Sequence, residues 1–102
     1  MFVVNDTNSS AIEVTGQVIV EKLQDPNINE VQYYVAVRRQ YADRELSFVV
    51  GKYDTPGKAA CVFNIIMTAL RHRCPVLYLP ADNENFDTRM SILEANIDRG
   101  VY

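Results

Sequence analysis

The chain has 102 residues, of which 48% are hydrophobic and 23% charged. That is the balance of one folded domain rather than of a disordered chain or of two domains. A net charge of −3 argues against a domain whose main work is neutralising phosphates, and no apolar run nears the ~18 residues of a membrane span. The first residues lack the charged and apolar blocks of a signal peptide, so a cytoplasmic protein is expected.

Residues 1–4 are apolar, and the polar cluster 5–10 reads as a turn. A short strand over 12–14 follows, with Gly16 as the break before a longer, β-branched strand over 18–23. Pro26 ends it, because proline cannot donate to a ladder and restricts the residue before it.

In 31–39 the set Val31, Tyr33, Val35, Val37 alternates with Gln32, Tyr34, Ala36, Arg38. In 45–50 the set Leu46, Phe48, Val50 alternates with Glu45, Ser47, Val49. Period-2 alternation on both sides of a polar turn at 42–44 predicts an antiparallel hairpin with one buried face.

The period then changes. Thr55 and Pro56 form a helix start, since threonine caps a free backbone N–H and proline at the first helical position loses no bond. Ala59, Val62, Phe63, Ile66 and Leu70 make one stripe on a helix running to about Arg73. Cys61, Ile65 and His72 lie on nearly the opposite side, and an apolar back side needs a cover. Residues 76–79 read as a final strand before Pro80.

After Pro80 the composition shifts to a polar linker over 81–87. Met90, Leu93, Ile97 and Val101 follow at helical spacing, capped by Asp87 or Thr88 and ended by Gly100; a mobile tail is the competing reading. The predicted organisation is an α+β domain over 1–80 and a C-terminal extension over 81–102. Within the first, an antiparallel sheet of four or five strands packs on one central helix. Its core draws on Val18, Val20, Val35, Val37, Leu46, Phe48, Val50, Val62, Phe63, Ile66 and Leu70.

No catalytic constellation emerges. Cys61 and Cys74 are thirteen positions apart across a helix, roughly 20 Å at 1.5 Å per residue, too far for a disulfide. Two thiols and one histidine do not fill a structural zinc site. His72 stands between Arg71 and Arg73, a cationic trio suited to a helix C-terminus rather than a general base. Calcium-loop, phosphate-loop and nucleophile-elbow patterns are absent, and no cofactor or metal is expected. Arg38, Arg39 and Arg44 around Tyr41, with Tyr33 and Tyr34 nearby, are the one basic-aromatic cluster that would suit bases. The acidic balance of the chain disfavours nucleic acid as a partner.

Asn5, Gly51, Tyr53, Thr55, Ala59, Tyr78 and Pro80 stand in an order that resembles a family of small uncharacterised proteins from Firmicutes and their phages. The shared pattern is a start strand ending in Asn, a Gly-x-Tyr-x-Thr segment opening a helix, and a closing strand ending in Tyr-x-Pro. It covers residues 1–80. Pro56 and Gly57 depart from it, because acidic residues usually occupy that helical turn. The resemblance implies an α+β fold and a prophage or mobile-element setting, and it implies no activity.

Three function classes follow. The first is a non-enzymatic interaction module that binds itself or another protein, its interface drawn from Cys61 and Ile65 or from Met90, Leu93 and Ile97. One sheet buries only one side of a helix, so these sets need a cover, unless they cover each other within one chain. The second is a phage-type inhibitor of a host defence or nucleic-acid enzyme, which requires the acids to gather on one face. The third is a small ligand-binding, nucleic-acid-binding or hydrolytic domain, which requires groups such as Tyr53, Asp54 or His72 to converge in a pocket.

Overall fold

The computed structural model describes residues 1–5, 10–25, 27 and 30–100. The order of elements is β1 (Phe2–Asn5), β2 (Ser10–Glu13), β3 (Gln17–Asp25), β4 (Glu30–Gln40), β5 (Glu45–Tyr53), α1 (Pro56–Arg71), β6 (Val76–Leu79) and α2 (Phe86–Asp98). The fold is α+β. The single sheet of four or five strands expected from the sequence is corrected to two sheets of three strands, ordered β2-β1-β6 and β3-β4-β5. Of the turn expected over 5–10, Asn5 and Ser10 are paired strand ends, and its middle, 6–9, lies outside the described residues, as does the strand stop at Pro26.

The longer sheet is an antiparallel meander. Val18 faces Val37 and Val20 faces Val35 across β3 and β4, and Val37 faces Phe48 across β4 and β5, so the predicted hairpin has its expected register. A register shift beside Val35 and Ala36 places Val35 against Gly51 and Ala36 against Val49, a bulge that bends the strand locally. The shorter sheet joins the first two strands to the last one. β1 pairs antiparallel with β2 and parallel with β6, with Val3 opposite both Ile12 and Leu77. The chain passes between sheets at Gly16, whose φ of +98° suits glycine. A Cβ there would lie 2.4 Å from the Arg38 carbonyl oxygen.

α1 begins as the sequence predicts. The Thr55 hydroxyl accepts from the Lys58 N–H at 3.2 Å, and Pro56 fills the first turn. It ends where Arg73 takes a left-handed φ of 57° and Cys74 N–H donates back to the Ala69 carbonyl at 3.0 Å, which satisfies a carbonyl the helix end leaves free. Ala59, Val62, Ile66 and Ala69 join Val35, Val37 and Val50 of the longer sheet and Val3, Leu77 and Leu79 of the shorter one in a single core. Of the expected core, Val20 is exposed: β3 is an edge strand, and its open flank leaves this side chain in solvent. Leu46 and Phe48 on β5, with Val18, Phe63 and Leu70, are half-buried.

The residues from 86 to 98 are helical, starting at Asn85, whose side chain makes no capping bond, rather than at Asp87 or Thr88. Phe86, Met90 and Ile97 enter the same core as the sheets. Both cysteines are free, Cys61 exposed and Cys74 buried. Among the described residues no helix is long and apolar enough to cross a membrane.

Candidate functional site

Two places gather the residues the sequence singles out. The first is the junction where β1, β5 and β6 end. Asn5 is buried and donates from its side-chain nitrogen to the Val50 carbonyl, joining the two sheets. Tyr53 is buried, and its hydroxyl donates to the Pro80 carbonyl at 3.1 Å. Side chains two apart on a strand share a face, so the Tyr53 ring folds back over Gly51. A Cβ on Gly51 would lie 2.7 Å from that ring. Phe86 meets Tyr53 edge-on at 5.4 Å between centroids.

Charge closes the junction from outside. Lys58 donates to Asp82 at 2.7 Å and to Asp54 at 3.1 Å, and the Asp54 N–H donates to the other Asp82 oxygen at 2.8 Å. The Asp82 carboxylate, then that of Asp54, raises the Lys58 pKa above 10.5, while burial opposes the shift. Asn5, Gly51, Tyr53, Thr55, Ala59 and Pro80 thus act here as joinery. They cap a helix, fit a ring, fill the core and tie two strand ends together.

His72 does not join this cluster. It caps the opposite end of the 16-residue α1, roughly 24 Å away at 1.5 Å per residue. Within the basic-aromatic cluster Tyr41 and Arg44 are exposed, and the two strand arginines make internal contacts. Arg38 bridges Glu21 at 2.6 Å and Glu45 at 2.7 Å, and Arg39 donates to the Glu13 carbonyl while stacking on Phe48 at 4.7 Å. No group of three or more histidine, cysteine or acidic residues among the described residues is arranged to hold a metal.

The second place is a groove of about 250 Å³ between β6 and α2, lined by Cys74, Leu77, Tyr78, Ile92, Leu93 and Ile97 among others. Tyr78 (59% exposed) and Ile92 (57%) are the most solvent-exposed large hydrophobic side chains described. β6 pairs only with β1, so its outer backbone edge has no strand neighbour among the described residues.

The structure divides the residues the sequence offered as an interface. Ile65, Met90 and Ile97 are buried within the chain, Leu93 is half-buried on the groove wall, and Cys61 is exposed. Ile65 sits at the seam of α1 and α2 beside Thr68, Glu94 and Asp98. Ile65 and Met90 are therefore covered within the chain, whereas Leu93 and Ile97 line the groove and Cys61 faces solvent. Tyr78 and Ile92 escaped the sequence reading for different reasons. Tyr78 looks like one more residue of a buried strand, and Ile92 lies off the Met90–Leu93–Ile97 stripe. An edge position is visible only once strand order is known.

No protein-family model, no curated protein and no solved structure matches the chain.

Proposed function

We propose that this protein is a non-enzymatic protein-interaction module whose binding surface is the outer edge of β6 together with the groove beneath α2. The observation that carries the reading is a strand edge with no strand neighbour among the described residues, flanked by the two most exposed large hydrophobics described. A strand edge offers a row of N–H and C=O groups that an extended segment satisfies, and the neighbouring groove, mainly apolar with Arg89 and Asn96 in its lining, accepts alternate side chains of that segment. The acidic-inhibitor reading has less support. Glu21 and Glu45 are paired to Arg38, and Asp54 and Asp82 are paired to Lys58, so four of the acids serve internal ion pairs.

Selection of random peptides displayed on their own mRNA against dilute immobilised protein tests this reading. Enriched peptides should alternate apolar residues, and their binding should weaken about tenfold or more when Ile92→Glu places a charge in the groove. Peptides insensitive to both Ile92→Glu and Tyr78→Lys, or no enrichment, would reject it.

A further inference from the structure

We infer that the occupant of the β6 edge is β6 of a second copy of this chain, paired antiparallel about a twofold axis so that two β2-β1-β6 sheets become one of six strands. This rests on the reading of β6 as the binding edge and commits it to one partner.

The argument is one of self-complementarity. In an isologous contact each residue near the axis meets itself or a close neighbour, so a charged edge repels its own copy. β2 carries Glu13, β3 carries Glu21 and Lys22, and β5 carries Glu45 and Lys52. Of the four edge strands β6 alone, Val76-Leu77-Tyr78-Leu79, carries no charge. Charge is the usual guard against edge-to-edge pairing, and on this edge it is missing.

Geometry fits the same partner. Val76 and Tyr78 point to one face, and Leu77 and Leu79 point to the core face, where both are buried. A twofold axis through an antiparallel pair preserves faces. Setting Tyr78 opposite Tyr78 of the second copy therefore places Leu77 opposite its Leu79 and draws the most exposed aromatic ring into a contact. In this register Val76 lies opposite Pro80 of the second copy, and Pro75 and Pro80 bracket the strand, so the ladder centres on residues 77–79 and stops at the prolines, which donate nothing to it. The contact consumes both β6 edges, and the edge left at the far side of the sheet is β2 with its Glu13, so assembly stops at two copies.

Sedimentation equilibrium of the full chain from micromolar to millimolar concentration tests the inference. The wild type should reach dimer mass. Tyr78→Lys, a change at an exposed position, should raise the dimer dissociation constant about tenfold or more by setting like charges face to face, with the circular dichroism spectrum unchanged. Ile92→Glu provides a second variant on a different element, and Leu23→Lys on the exposed edge β3 should leave the dimer intact. A wild-type monomer throughout, or a dimer indifferent to both Tyr78→Lys and Ile92→Glu, would overturn the inference. Peptide selection then separates the two readings: a monomer that still enriches groove-dependent peptides is a module for foreign segments, and a monomer that enriches none rejects both.

Discussion

The two sheets are built by opposite means. The β3-β4-β5 sheet comes from one continuous stretch, 17–53, with strands of nine, eleven and nine residues. The β2-β1-β6 sheet has four-residue strands, and its parallel pair matches Phe2 with Val76, 74 positions apart in the chain. Local pairing costs little loop entropy, whereas pairing strands 74 positions apart costs more before any contact is gained. The long sheet also spends charge on its solvent side, where Arg38 ties Glu21 of β3 to Glu45 of β5. The β6 edge of the short sheet carries no charged side chain. Local pairing and charge thus support the long sheet, and the short sheet relies on contacts between distant parts of the chain.

If the short sheet depends on the rest of the molecule, cutting its supports should reveal it. Phe86→Ala should have the largest effect, about 3–5 kcal/mol for removing a buried phenylalanine. Its ring is 3% exposed and packs on Tyr53, at the point where α2, β5 and the strand end at Pro80 converge. Urea denaturation measures this. The division at Pro80 drawn from composition makes a competing prediction: if 1–80 is self-sufficient, Phe86→Ala costs well under 1 kcal/mol, as surface changes do, and the chain truncated after Pro80 keeps its cooperative transition.

Asn5→Ala sharpens the comparison. It removes the donor that links β1 to the Val50 carbonyl of the other sheet and leaves that oxygen unsatisfied, a cost of about 1–3 kcal/mol. The loss should be uneven. Hydrogen exchange is expected to speed up in β1 and β6 more than in β4, whose partners on both sides remain. Equal acceleration in all strands would mean that the two sheets open as one unit.

The same contrast explains what the sequence made legible. β4, β5 and α1 were readable because each announces itself locally, by the alternation around Val35 and Phe48 or by the cap at Thr55 and the stripe from Ala59. The single sheet was a wrong assembly of mostly correct strands. Nothing local to residues 2–5 and 76–79 states that they pair with each other, in parallel, apart from the long meander. The cover for Ile65 was hidden for the same reason. α2 supplies it from 86–98, and the low polarity contrast of FDTRMSILEANID makes that helix weak evidence of a buried face until Phe86 is seen against Tyr53. Buried Asn5 belongs with these, since its partner lies 45 residues away.

The smallest effect concerns the ion pairs that span the exits of the two sheets. Asp54 follows β5 of the long sheet, Asp82 follows β6 of the short one, and Lys58 on α1 holds both. The folded-state pKa of Lys58 is raised above 10.5, first by the bond to Asp82 and then by that to Asp54. A raised lysine pKa means that the fold favours the charged form. Its stabilisation is therefore fully present below 10.5 and is lost as pH rises through the higher folded value. Wild type and Lys58→Gln should differ by a small, constant amount from pH 7 to 9, because exposed ion pairs contribute little. That difference should shrink only in alkaline solution. The Lys58 Cε resonance, followed by NMR titration, locates the proton directly. Asp82→Asn should return its midpoint towards 10.5 by more than Asp54→Asn does. The reverse order would place the stronger hold on the long sheet's side, and with it the opposite account of which contact keeps the short sheet's exit against α1.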